Sequence, residues 1–194
     1  MFGKIVMALT ASLVAGYVYL DNQVEVRNSH ASVTVYESVK DLEEDADLII
    51  IGEATNKTEN YIRYHEDGEI DDYSTKRMVK VEKIFKNQLD EKIAVGDEVE
   101  VWEPSIIVKD DVIGKQQRTI EGYRLMQNKK KYVLFLKKNT YFNNLAPLGV
   151  IQGKFPLDEA RKSLHSVYKD EFQHYNFPEF DKLQKEVSSK YNIE

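Results

Sequence analysis

The chain contains no cysteine. That one absence removes disulfides, zinc–cysteine sites, thiol catalysis and iron–sulfur clusters together. A small exported domain built this way must rely on its core alone. Other chemistry is missing as well. The histidines form no HExxH and no paired motif, and His165 and His174 fall on nearly opposite sides of an expected helix, so a catalytic zinc has no ligand set. No G-x-S-x-G elbow is present. Gly52-Glu53 and Gly96-Asp97 are lone glycines that build neither a phosphate loop nor a dinucleotide fingerprint. Basic charge is in deficit: 27 Lys and Arg stand against 33 Asp and Glu, a net charge of −6. Nucleic acid and anionic lipid both need a basic face, so neither is expected as the main partner. There is no internal repeat and no low-complexity tract.

What the chain does have begins at its first residue. Lys4 is followed by an uncharged apolar run from Ile5 to Leu20. A bilayer-spanning helix needs about 17–25 residues, and Phe2, Gly3 and a snorkelling Lys4 bring the segment to that length. Tyr17 and Tyr19 lie at its outer end, where aromatic rings favour the headgroup level. As a cleaved signal it fits less well. A site after Ala15 leaves a short apolar core, and Ser29-His30-Ala31 lies well past the run. Without a cysteine, a lipoprotein anchor is excluded. Residues 1–20 are therefore expected to be an uncleaved membrane anchor, with secretion as the alternative. Lys4 before the run and Asp21 and Glu25 after it place the N-terminus in the cytoplasm and the remainder outside. Cysteine-free exported domains are common in Gram-positive bacteria, which is where the sequence is placed.

Residues 21–32 read as a polar tether, and about 160 residues remain for one domain with a real core. A hydrophobic content of 42% argues against general disorder. Ser38 to Asp41 resembles a capping box opening a short helix to about Asp45. Leu48 to Ile51 and Tyr132 to Leu136 are apolar on both faces, so both are expected as central strands covered on each side. Gly52 allows a bulge or a close backbone approach. Asn60 to Tyr73 reads as a long hairpin or mobile loop with the acidic tip Glu66 to Asp72. Tyr73 to Phe85 is a long strand whose register slips near Ile84-Phe85. In Glu98 to Glu103, Val99 and Val101 share one face and Glu98, Glu100 and Trp102 the other. Ser105 to Asn128 has only weak strand signals, and Pro147 to Phe155 reads as a final strand broken by glycines. Two C-terminal helices follow. One carries the stripe Ala160, Leu164, Val167, Tyr168 and Phe172. The other starts at Pro178, with the stripe Phe180, Leu183, Val187 and Tyr191 and the pairs Asp181–Lys185 and Glu186–Lys190.

The expected class is a β-rich α+β fold, with a short N-terminal helix, a small five- to six-stranded barrel over 33–155 and two helices covering it over 156–194. The strands quoted from Ala46 to Phe155 carry a resemblance: ADLIIIGEAT at Ala46 to Thr55, the long strand from Tyr73 to Lys86, GDEVEV at Gly96 to Val101, KKYVLFLKK at Lys130 to Lys138 and GVIQGKF at Gly149 to Phe155. In this order the segment resembles the small exported domains of tissue inhibitors of metalloproteinases and of netrin C-terminal modules. The resemblance implies an OB-type barrel and a habit of binding other molecules. The inhibitors use an N-terminal cysteine against the target's metal, and that activity does not carry over to a chain without one.

Candidate site residues follow from these elements. Trp102 points away from Val99 and Val101 and is either a binding hot spot, with Glu103, Tyr61 and Tyr64 as companions, or ordinary core beneath a C-terminal helix. The tip Glu66 to Asp72 lacks the order of a calcium loop and reads as a solvated turn. No catalytic residue, no metal and no cofactor is assigned. An extracytoplasmic protein that binds a protein or an envelope ligand is the first expectation. An enzyme built from scattered carboxylates such as Glu53, Asp97, Glu103 and Glu121, or an OB-type saccharide binder, is the alternative.

Overall fold

The computed structural model describes residues 24–109, 113–157 and 177–191. The elements are β1 (Val24–Ser29), α1 (Val39–Asp45), β2 (Leu48–Tyr64), β3 (Ile70–Asn87), β4 (Glu98–Glu103), β5 (Ser105–Lys109), β6 (Lys115–Ile120), β7 (Lys131–Asn139), β8 (Asn144–Pro147), β9 (Lys154–Pro156) and α2 (Phe177–Lys190). Among the described residues the domain is β-rich, with two helices.

Helix α1 starts where its cap dictates. The Ser38 hydroxyl accepts the Asp41 amide at 3.2 Å and donates to the Asp41 carboxylate at 2.7 Å, which satisfies one of the free N–H groups of the first turn. Val39 and Leu42 on its inner face are buried.

The larger sheet runs β2–β3–β4–β8–β7–β9, and β2 also pairs with β7. The pairings β2–β3, β3–β4, β4–β8, β8–β7 and β7–β2 therefore form a closed circuit of five strands. All are antiparallel except β4–β8, which is parallel and registered at a single pair, Val101 with Leu145. Bulges turn the long strands. Ile49 faces Lys86 while Ile50 faces Ile84, so Phe85 is the extra residue, at the place where the sequence pattern slips. Gly52 sits where a β-carbon would collide with Val79, which is the close approach its lack of a side chain permits.

Closure explains the doubly apolar strands. Leu48, Ile50 and Ala54 of β2 and Leu134 and Leu136 of β7 point inward, into a core shared with Val79, Val81, Val99 and Val101. Ile49 of β2 and Val133 and Phe135 of β7 point outward, under α1 and α2. There Phe180, Leu183 and Val187 of α2, with Tyr191 just beyond its end, complete a second core. Each strand thus buries both faces, one in the barrel and one beneath a helix.

Several elements differ from the sequence expectation. Within the segment read as a tether, β1 forms a parallel edge strand on β6, giving a three-stranded sheet β1–β6–β5. Its six residues are all exposed, and its apolar alternation is confined to Val24 and Val26. Where the sequence has only weak strand signals, β5 and β6 pair antiparallel, Ser105 with Thr119 through Lys109 with Lys115. Pro147 to Phe155 is two strands, β8 and β9, split by a turn that contains Gly149 at φ +53°. On α2 the expected pairs give way to others: Lys190 bonds Glu43 at 2.6 Å and Glu186 lies 3.8 Å from Lys182. The helix expected over 158–172 and the anchor expected over 1–20 lie outside the described residues. Among the described residues, no helix is long and apolar enough to cross a membrane.

Candidate functional site

Strands β3 and β4 carry alternate residues to opposite sides of the closed sheet. On the outer side, register places Lys76 beside Trp102, Met78 beside Glu100 and Lys80 beside Glu98. Tyr61 arrives from β2 and Phe142 from the turn between β7 and β8. The result is an aromatic platform. The Tyr61 and Trp102 rings lie 5.0 Å apart, Trp102 and Phe142 are stacked at 6.0 Å, and Phe142 meets Tyr61 edge-on at 6.3 Å. Tyr141 packs on Phe142 at 4.8 Å and is 81% exposed.

Polar groups hold the platform in place. The Trp102 Nε1–H donates to Glu100 at 2.6 Å, which fixes the indole. The Lys76 ammonium lies 5.2 Å from the Trp102 ring centroid and 6.0 Å from that of Tyr61, and it pairs with Glu59 at 3.4 Å. The Asn139 side-chain oxygen accepts the amides of Tyr141 and Phe142 at 2.9 and 3.2 Å, setting the turn that presents both rings. A groove of about 510 Å³ is lined by Met78, Glu98, Glu100, Lys138, Asn143 and Leu145. Glu98 is paired with Lys57 at 2.7 Å.

The inner side of the same two strands is entirely different. Glu103 is completely buried. It accepts from Arg77 Nε at 2.6 Å, from the Met126 amide at 2.6 Å and from the Tyr123 hydroxyl at 3.1 Å. Arg77 also donates to the Thr55 carbonyl at 2.7 Å. The Lys154 ammonium donates to the Arg124 carbonyl and lies 3.7 Å from the Tyr123 ring centroid. Burial drives the Lys154 pKa down to about 8, and the nearby Glu103 charge only partly offsets that.

Of the expected site residues, the structure therefore brings together Trp102 and Tyr61. It places Glu103 on the opposite side of the sheet, ion-paired and enclosed, so Glu103 has no part in an outer surface. Tyr64 lies near the β2–β3 tip and is 59% exposed. Among the described residues, Trp102 packs against Tyr61 and Phe142. Phe142, Lys76 and Met78 were not singled out by sequence. The signal for Phe142 was an aromatic pair, Tyr141-Phe142, framed by Asn139 and Asn143-Asn144 in a turn.

Of the four scattered carboxylates, Glu103, Asp97 and Glu121 have a local structural task, and Glu53 lies on β2 in register with Lys80 and Lys131. Asp97 accepts the Ala94 amide at 2.8 Å, and Glu121 accepts the Ala31 amide at 2.7 Å. In the acidic tip, Asp71 bonds Arg63 at 2.6 Å and His65 at 3.1 Å. No cluster of three or more metal-ligating side chains occurs among the described residues. No family model matches the chain, and no curated protein matches it.

Proposed function

We propose that this protein is a membrane-anchored extracytoplasmic binding module with an OB-like barrel, and that its ligand is a neutral saccharide chain held on the Tyr61–Trp102–Phe142 platform. One observation carries the reading: three rings from three separate elements converge on the outer surface of β3 and β4. The closed five-strand order, with its one parallel pairing between β4 and β8, supports the OB-like description and the likeness to inhibitor and netrin modules. In OB folds this sheet face and the loops beside it are the usual ligand surface. The platform's β7–β8 turn and the end of β2 are those loops.

The chemistry favours sugar. Indole and phenyl faces cover the C–H faces of a sugar ring, and the groove beside them offers carboxylate and amide acceptors from Glu98, Glu100 and Asn143 for hydroxyl donors. A nucleic acid strand would need cationic tracks along its backbone. Here Lys76 is committed to Glu59 and Lys57 to Glu98. The anchor rests on the apolar run Ile5 to Leu20, which brings the barrel to the cell surface.

Trp102 is the only tryptophan in the chain, so it reports on its own site. Titration with soluble cell-wall oligosaccharides is expected to shift its emission and to give saturable heat in calorimetry, while oligonucleotides give neither. Absence of both signals across a panel of neutral glycans would sink the saccharide reading. Turnover of the glycan would sink the non-catalytic one.

A further inference from the structure

We infer that the outward face of the β1–β6–β5 sheet is a lipid-facing surface that seats the domain on an anionic bilayer; this rests on the reading of residues 1–20 as an anchor. Register defines the face. Val24, Lys115 and Lys109 form one row across the three strands, and Val26, Gln117 and Ile107 form the next. Val24, Val26 and Ile107 are 44%, 46% and 39% exposed. The opposite face holds Ile106 and Gln116, which are buried in the body of the domain. The two rows thus combine three exposed aliphatic side chains, one amide and two lysines with no carboxylate, in a chain whose net charge is −6. Glu25, the acidic residue of β1, lies on the other face and pairs with Arg27 at 3.2 Å.

Chain length identifies the occupant. Only Asp21, Asn22 and Gln23 separate the apolar run from Val24. Four α-carbon steps reach no further than about 14 Å. Neighbouring strands lie about 4.8 Å apart, so Lys115 and Lys109 stand beside Val24 within the reach of headgroups. Aliphatic side chains inserted at the headgroup level and lysines paired with lipid phosphates are the combination by which a surface lies on a membrane. The overall acidity of the chain orients it further, because repulsion from anionic lipid is least with this face down.

The absence of native cysteine makes the test direct. Full-length protein carrying Ile107→Cys or Val95→Cys is labelled with an environment-sensitive fluorophore and reconstituted in vesicles containing anionic lipid and headgroup-spin-labelled lipid. Val95 is 66% exposed and lies beside the turn where the Gly96 amide bonds the Val81 carbonyl. Val81 is six residues along β3 from Thr75, whose hydroxyl donates to Ser105 at the start of β5, a separation of about 20 Å. Quenching at position 107 is expected to exceed that at 95 at least twofold. Adding Lys109→Glu and Lys115→Glu is expected to bring the ratio near one while the protein still floats with the vesicles. Equal quenching at both positions in the unaltered background, with the protein floating, overturns the lipid-facing surface alone. So does short label-to-label distance between molecules at 107, which would make the face a contact between copies. Protein that fails to float overturns the anchor and the surface together.

Discussion

Trp102 and Glu103 are adjacent on β4 and have opposite fates. Trp102 lies on the outer side of the sheet among aromatic rings, and Glu103 is sealed inside with Arg77, Tyr123 and Lys154 nearby. The strand's two-residue period separates them. On the inner side, each charged group has a bonded partner, and removal of one partner strands another in low dielectric. On the outer side, the rings of Trp102, Tyr61 and Phe142 rest on one another beside the Lys76 ammonium. The difference shows that a carboxylate beside a tryptophan in sequence says little about a site, whereas the strand face on which it falls says a great deal.

The contrast is most sharply broken by Glu103→Ala. It leaves Arg77 and the Tyr123 hydroxyl without their acceptor and is expected to cost about 3–5 kcal/mol of stability, measured by denaturant unfolding, with saccharide affinity unchanged in the fraction that folds. The next largest effect belongs to Lys154. Its folded-state pKa of about 8 lies below the unfolded value of 10.5, so the unfolded chain binds more protons between those limits and stability rises with pH across them. The rise is on the order of 3 kcal/mol if uncoupled. Above pH 10 the slope reverses. Burial and bonds to Asp45 and Glu43 raise the pKa values of Tyr36 and Tyr191, so the unfolded tyrosines ionise first. Lys154→Met is expected to flatten the alkaline rise in thermal melts taken from pH 7 to 10, and a rise that persists would assign it elsewhere.

Smaller effects test the outer side. Trp102→Ala is expected to weaken saccharide binding at least tenfold by calorimetry while lowering stability by only about 1 kcal/mol, the reverse of the Glu103 result. A large loss of stability with intact binding would recast the platform as core. Ser38→Ala removes the cap of α1 and is expected to cost about 1 kcal/mol, with platform and affinity untouched.

Much of this arrangement was legible in the sequence, and for a definite reason. Leu48 to Ile51 and Tyr132 to Leu136 are apolar on both faces, which is the direct signature of burial between a barrel interior and a helical cover. The slip at Ile84-Phe85, the Ser38 cap and the stripe of α2 were likewise written in local pattern. What was not legible depends on pairing between distant segments. β1 alternates only over Val24 to Arg27, too short a pattern to stand out from a polar tether, and it pairs along the edge of β6. Glu103 looked like a surface acid because its neutraliser, Arg77, is on another strand. Phe142 joins Trp102 and Tyr61 only through the closure of β4 against β8.

That closure has a thermodynamic corollary. The seam rests on one registered parallel pair, Val101 with Leu145, and Leu145 lies three residues beyond the Phe142 ring of the platform. The seam is therefore the cheapest place for the barrel to part, and parting it moves Phe142 away from Trp102. A ligand that bridges these two rings binds only the shut form, so by linkage it must hold the seam closed in the same measure that closure favours binding. Amide exchange at Leu145 is expected to slow as the ligand saturates, which makes the backbone of the seam a gauge of occupancy.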